Sequence, residues 1–452
     1  MTNRRGVNTL ATVAWTTAVK VFGGAIYLRE RVGVQINSSA SSYFLRLGDK
    51  NVALPAHAEG KAQELDVDGD RFLDDSELSK IALQDDGCRG PHHHHTDDVQ
   101  LSQEDISDRL LGFKASLAAS PSPYAAGYHS FEEVEKEISE IAERHPDIVQ
   151  KISLGKSPEG REIWALKISQ NAQSDTSGKP GVVITGCHHA REWMTVEAPL
   201  KVIQDITNNL DDPAVQKRLD EAEVWVVPVV NPDGYEYSRT ESSYWRKNRR
   251  PLGVDQNGKA TNAIGVDLNR NYWDGTPEHL YVYRPAGDAP GNTNDDYSAT
   301  SDDPRDDTYR GPFGASEPEV KALLDFQLSR PNIKAVVDYH SHGDTILYPY
   351  GYTRDASPNE KLYKSIGQKM QAASSGFSLQ QSVGLYPAAG TSDDTQDLNG
   401  ILNFTIEMGR SFQPNPKQIP VITERVAKAT YAMIDEVIVH EMAGLLPKHS
   451  AS

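Results

Sequence analysis

From Tyr124 onward, apolar residues recur in two alternating rhythms. Val134, Ile138 and Ile141 fall at helical spacing after Ser130, with Glu133 three residues past that serine. Serine with glutamate three positions on is a capping box, which satisfies the orphan amides of a helix start. Pro146 ends this helix, because its ring removes a donor and clashes with the turn before it. Short runs rich in β-branched residues follow at Ile163–Ile168, Val182–Thr185, Val224–Val230, Ile333–Tyr339 and Leu402–Ile406. Helical patterns lie between them at about 192–208, 317–329, 358–374 and 421–444. Strands alternating with helices predict an α/β fold, its mainly parallel sheet covered by helices on both faces. In such sheets, binding sites gather beyond the carboxyl ends of the strands.

Composition narrows the classes. The chain has 452 residues, 38% hydrophobic and 24% charged, so it can bury a large core in more than one domain. Its net charge is -18, from 64 acidic and 46 basic residues, which excludes the basic footprint a nucleic acid needs. Cys88 and Cys187 allow one bridge at most, so no disulfide framework exists. No apolar run approaches the length of a transmembrane span. Residues 1–29 carry Arg4, Arg5, Lys20 and Arg29 and no acid, but Lys20 interrupts the apolar stretch Leu10–Leu28. That makes a poor signal peptide.

Residues 1–60 carry no motif, and residues 61–114 hold two. Asp66, Asp68, Asp70, Asp74 and Glu77 occupy positions 1, 3, 5, 9 and 12 of a calcium-loop pattern, and Phe72 offers its carbonyl at position 7. Arg71 stands where the loop wants glycine, so an acidic surface turn is the alternative. His92–His95 form a run that can chelate a metal or simply be a solvated loop. Residues 115–123 read as a linker, and 124–445 as the main domain.

Strand 182–185 runs into Gly186-Cys187-His188-His189-Ala190-Arg191-Glu192. His189 and Glu192, three apart on a turn opening a helix, can share a metal. Alone that spacing is weak. Strand 333–339 ends in His340, which would face the same crevice. Two histidines and a glutamate leave a fourth position open, as in a catalytic zinc site.

The segments GCHHAREWM, YWRKNRR, GVDLNRNYW, DYHSH with LYPYGY, LYPAAGTSDD and FTIEMG stand in an order that resembles zinc carboxypeptidases of the pancreatic A/B type. The likeness spans about Tyr124–Ala443. It implies a mixed, mainly parallel sheet of about eight strands flanked by helices. It also implies zinc on His189, Glu192 and His340, Glu407 as general base and Arg246 beside the scissile carbonyl. Asn269, Arg270 and Tyr386 are expected to clamp the substrate's terminal carboxylate, with Arg191 and Ser341 binding substrate nearby. Asp393 matches the floor of the specificity pocket, where an acid implies basic or mixed preference; Leu347, Leu385 and Ala388 would line it. His342 replaces an aromatic residue usual after His340-Ser341. The insert Gly275–Gly311 is acidic and reads as a loop or a calcium holder.

The expected protein is a secreted, monomeric metallocarboxypeptidase that acts on peptide or protein C-termini, with one zinc and, at the 66–77 loop, calcium. A calcium-binding interaction protein with an inactive domain is the competing class. A relative acting on other amides is the third.

Overall fold

The computed structural model describes residues 125–174, 178–253, 261–284 and 299–450, together with the backbone of five N-terminal strands. The chain divides into two units, Met1–Ala118 and Ala119–Ser452. In the first, β1 (Thr16–Phe22) and β2 (Ala25–Arg31) form an antiparallel pair. β3 (Ala40–Leu47) pairs antiparallel with β4 (Lys50–Pro55) and parallel with β5 (Phe72–Leu73). Of the expected calcium ligands, only Phe72 has a described backbone. Asp66, Asp68, Asp70, Asp74 and Glu77 lie outside the described residues, as do His92–His95 and Cys88.

The second unit opens on α1 (Phe131–Arg144). Its capping box forms as expected: Glu133 N–H donates to Ser130 Oγ at 3.1 Å, and Ser130 N–H to Glu133 Oε2 at 2.7 Å. After it come β6 (Val149–Lys156), β7 (Glu162–Ile168), β8 (Gly181–Thr185) and α2 (Met194–Asn208). α3 (Pro213–Glu221), β9 (Glu223–Val227), α4 (Pro232–Thr240) and the short α5 (Leu280–Tyr283) follow. Then α6 (Pro318–Leu328), β10 (Ile333–His340), β11 (Thr345–Tyr348), α7 (Glu360–Ser374) and β12 (Ser378–Gln381). The unit closes with α8 (Ser392–Leu398), β13 (Leu402–Glu407) and α9 (Ile419–Met442).

The eight strands β6–β13 form one sheet in the order β12-β11-β13-β10-β8-β9-β7-β6. Its middle, β13-β10-β8-β9, is parallel; β11 and β7 attach antiparallel on either side. Every residue of β8, β9 and β13 is buried, as central strands covered on both faces require. Adjacent side chains on one strand serve opposite faces. Val182 and Ile184 join the core under α2, α7 and α9, whereas Val183 joins the core under α6.

The apolar strands appear where the pattern puts them. β9 stops at Val227 instead of Val230, because Pro228 cannot donate to the ladder. The pattern missed β6, β11 and β12: β11 has four residues and β12 is SLQQ, so neither shows a readable period. Among the described residues, no helix is long and apolar enough to cross a membrane.

Candidate active site

Three neighbouring parallel strands deliver the site. β8 runs into the Gly186–Trp193 turn, β10 ends on His340, and β13 ends on Glu407. The turn is forced by close packing. A Cβ on Gly186 would lie 2.1 Å from Thr195 O and 2.8 Å from Pro228 O, so only glycine fits. Cys187 follows at φ 59°, its N–H donating to Thr195 Oγ1 at 3.0 Å. Ala190 N–H donates to Arg246 O at 2.9 Å, tying this turn to the segment that carries Arg246. Asn231 Nδ2 binds His188 O at 3.1 Å and Lys247 O at 3.2 Å, making the same tie from the side. α2 begins only at Met194, so His189 and Glu192 sit on the turn before the helix, not in its first turn.

His189, Glu192 and His340 converge, all buried. Their ligand atoms lie within 4.8 Å of one another. His189 Nδ1 is 2.7 Å from Glu192 Oε1, and His340 Nδ1 is 3.1 Å from both Glu192 Oε2 and His189 Nδ1. Burial alone would raise the Glu192 carboxyl, but His189 and His340 hold it well below the usual carboxylate range. Burial lowers His189, which favours its neutral imidazole. Its other nitrogen, Nε2, faces Asp267 Oδ1 at 3.1 Å, so a proton held there leaves the Nδ1 lone pair free. Two imidazole nitrogens and a carboxylate, turned to one point and buried, fit a divalent cation of zinc's preferences.

Asp267 carries more than one partner. Its Oδ2 accepts from Arg246 Nε at 2.8 Å, and its Oδ1 accepts from Asn269 N–H at 3.1 Å. Arg246 is buried, and its Nη2 has no partner among the described residues. A buried guanidinium nitrogen left unpaired calls for an acceptor on a ligand. Asp267 stands inside GVDLNRN, but the sequence reading passed over it. A buried carboxylate beside a histidine ligand has no signal of its own until the fold brings them together.

Glu407 lies beside His340 in register, and it is buried. Burial pushes its carboxyl up to about 7, with Glu192 adding to the rise and His340 and Arg246 opposing it. Arg270 donates from Nε to Ala299 O at 2.5 Å and from Nη1 to Asn269 O at 2.7 Å, and its guanidinium sits 5.7 Å from the Tyr386 ring. Arg270 thus lies beside Asn269 and near the Tyr386 ring, the two residues that the resemblance groups with it. Ser341 N–H donates to Glu192 Oε2 at 3.2 Å, while its buried hydroxyl has no partner among the described residues. Arg191 lies over the Phe412 ring at 4.3 Å and 3.7 Å from Asp307. The His342 ring meets Phe412 edge-on at 4.8 Å.

Asp393 and Asp394 have different partners. Asp394 accepts from the N–H groups of Gly351 at 2.8 Å and Tyr352 at 3.1 Å, which makes it an anchor for that loop. Asp393 is buried and accepts from Ser382 Oγ at 2.6 Å; burial raises its carboxyl. Cys187 is a buried free thiol 3.8 Å from His189 O, and burial raises it well above its ordinary value. It packs and is not among the ligand group. Within the acidic insert, Asp302 pairs with Arg284 at 2.9 Å and Arg310 at 3.3 Å, and Asp303 with Arg305 at 2.7 Å. Asp295 and Asp296 fall outside the described residues.

Residues 134–429 match the profile of a family described as zinc carboxypeptidase, which is more than half of the chain. The chain belongs to the zinc carboxypeptidase family. Carboxypeptidase A1 of Rattus norvegicus is 30% identical over 356 residues, covering 76% of this chain and 78% of the rat protein. A zinc carboxypeptidase of Saccharothrix mutabilis subsp. capreolus is 32% identical over 340 residues, covering 72% of each. Among solved structures, thrombin-activatable fibrinolysis inhibitor matches with a TM-score of 0.60 and 28% identity, over 75% of this chain and 79% of that one. The carboxypeptidase A of Helicoverpa armigera shares the fold with a TM-score of 0.60 at 23% identity, over 86% and 88% of the two chains. This zinc carboxypeptidase is thus a hydrolase and an exopeptidase. Zinc is the cofactor its family implies, and His189, Glu192 and His340 form a fitting donor group.

Proposed function

We propose that the enzyme cleaves the last peptide bond of peptides and proteins with a water activated by Glu407, and that it prefers basic or mixed C-terminal side chains. His189, Glu192 and His340 would hold the zinc, which supplies an acidified water and a polarised carbonyl when bound. Glu407 takes the proton of the attacking water and later passes it to the leaving amine. Burial raises this carboxyl, which helps it hold the proton before passing it on. Arg246 donates to the developing oxyanion, and the buried Nη2 without a partner is the observation that carries this step.

Arg270, with Asn269 and Tyr386, clamps the terminal carboxylate. That clamp makes the enzyme an exopeptidase. An internal bond brings no charge there and would leave a buried guanidinium without a charged partner. Arg191 and Ser341 contact the residues before the cut. Asp393 receives a cationic side chain, which would restore the charge that burial opposes. Its neighbour Asp394 is engaged by the backbone of Gly351 and Tyr352, which favours Asp393 for that role.

The test is a matched pair of N-blocked dipeptides, one ending in Phe and one in Arg. Each is run with a zinc chelator and after zinc add-back. Chelator-sensitive release, restored by zinc and favouring Arg, supports the reading. No release of either peptide by the zinc-loaded protein sinks it. Release that favours Phe strongly removes the assignment of Asp393 alone.

A further inference from the structure

Asp338 lies on β10, two residues before His340, and is buried. Its hydrogen-bond partners are neutral groups. Thr185 Oγ1 on β8 donates to Oδ1; Ser392 Oγ at the start of α8 and Asn403 Nδ2 on β13 donate to Oδ2, the last at 3.1 Å. Its neighbours Val336 and Val337 fill their places with hydrocarbon. A buried carboxylate costs more than a valine unless its hydrogen bonds serve a purpose.

Ser392 supplies the purpose. Its hydroxyl donates to Asp338, and its N–H donates to Asn269 Oδ1 at 2.9 Å. An amide side chain has one accepting end and one donating end. With the oxygen claimed by Ser392, the Nδ2 end of Asn269 turns into the site, 3.3 Å from His340 Nε2. Only that orientation offers a donor to a carboxylate. A flipped amide would face it with an oxygen and repel it.

We infer that Asp338 and Ser392 are positioning residues for substrate recognition: Asp338 fixes Ser392, and the Ser392 N–H sets which end of Asn269 meets the substrate's terminal carboxylate. The inference rests on reading Asn269 as part of the clamp. It also joins that clamp to β10, the strand of a metal ligand, through α8, the helix that carries Asp393.

The experiment uses the full chain, zinc-loaded, as wild type, Ser392→Ala and Asp338→Asn. Substrates are one N-blocked dipeptide as the free acid and as its C-terminal amide. Wild type should prefer the acid strongly. Ser392→Ala should raise KM for the acid about five- to tenfold, the worth of one misplaced hydrogen bond, with kcat within about twofold. Cleavage of the amide and zinc content should stay near wild type, while Tm falls modestly because Asp338 loses a donor. Asp338→Asn should reduce the acid-to-amide preference in the same direction. An unchanged KM for the acid in Ser392→Ala overturns the inference, as does an equal loss on both substrates accompanied by a fall in Tm. If wild type itself does not distinguish acid from amide, the clamp reading fails first, and that result is separate from either.

Discussion

Glu407 and His340 sit side by side as the last residues of two adjoining parallel strands, β13 and β10. The register that pairs Ala335 with Leu402 carries through to this pair, so sheet geometry alone sets a carboxylate next to a metal ligand. Met408 N–H donates to His340 O at 2.8 Å, which holds the two strand ends together beyond the last pair.

Glu407→Gln keeps the shape of that strand end and removes the base. It should lower kcat by about 10²–10⁴-fold while zinc content stays at one equivalent. In the unsubstituted enzyme, activity should fall as pH drops through the Glu407 value, because only the carboxylate accepts a proton. That value is about 7 without metal, and a bound cation moves it lower. A pH–rate profile of kcat/KM whose acid limb survives in Glu407→Gln would argue against the assignment.

Zinc removal should cost stability as well as activity. His189, Glu192 and His340 crowd together in the core, and a metal that binds only the folded state stabilises it by mass action. With free zinc at about a thousand times its Kd, that amounts to about 4 kcal/mol. Calorimetry with and without chelator measures it. Equal Tm values in the two samples would count against this donor set.

Gly186→Ala should damage the site from outside it. The added Cβ meets the carbonyls of Thr195 and Pro228 at 2.1 and 2.8 Å, and backbone atoms cannot simply swing away. A loss of about 2–4 kcal/mol is expected, with reduced zinc content because the turn to His189 must shift. Denaturant unfolding and metal analysis together check it.

His129 gives a pH signature away from the active site. Its Nδ1 lies 2.8 Å from Glu197 and its Nε2 3.4 Å from Glu137. The hydrogen bond to Glu197 raises its pKa above the ordinary 6.5, against the opposing effect of burial. A raised value in the fold means the protonated form is favoured there. The stabilisation is therefore complete below pH 6.5 and lost as pH rises through the folded value. His129→Gln should flatten the stability–pH curve across that window, as Tm measurements at pH 6 and pH 8.5 would read it. The effect is modest because the ring is 37% exposed.

Asp393→Asn should shift side-chain preference with little change in stability. The amide oxygen can keep the Asp394 N–H, and the amide nitrogen can donate to the Ser382 hydroxyl, which accepts as well as donates. Cleavage of a dipeptide ending in Arg should fall about tenfold or more relative to one ending in Phe, since a charged partner of the guanidinium is removed. An unchanged Phe/Arg ratio would dissociate Asp393 from specificity.

Much of the fold was legible along the chain because the central strands carry their own signal. β8, β9, β10 and β13 are buried on both faces and so read as short, continuous apolar runs between helical patterns. The capping box at Ser130 was equally local: two residues three apart make it without help from the rest of the protein. Spacing alone showed the ligand group as fragments, His189 with Glu192 and a histidine at a strand end, and the resemblance carried by six motifs in order joined them. The physical reason they meet is the order β13-β10-β8, which no window of sequence contains. The tertiary structure alone decided that Asp267 binds His189 and Arg246 at once, that Ser392 turns the Asn269 amide, and that Asp394 is spent on the backbone of Gly351 and Tyr352. The reason is physical. Periodicity records which face of an element is buried, a property each segment has by itself. Hydrogen bonds between side chains far apart in sequence depend on strand order and register, and those are set only when the whole sheet packs.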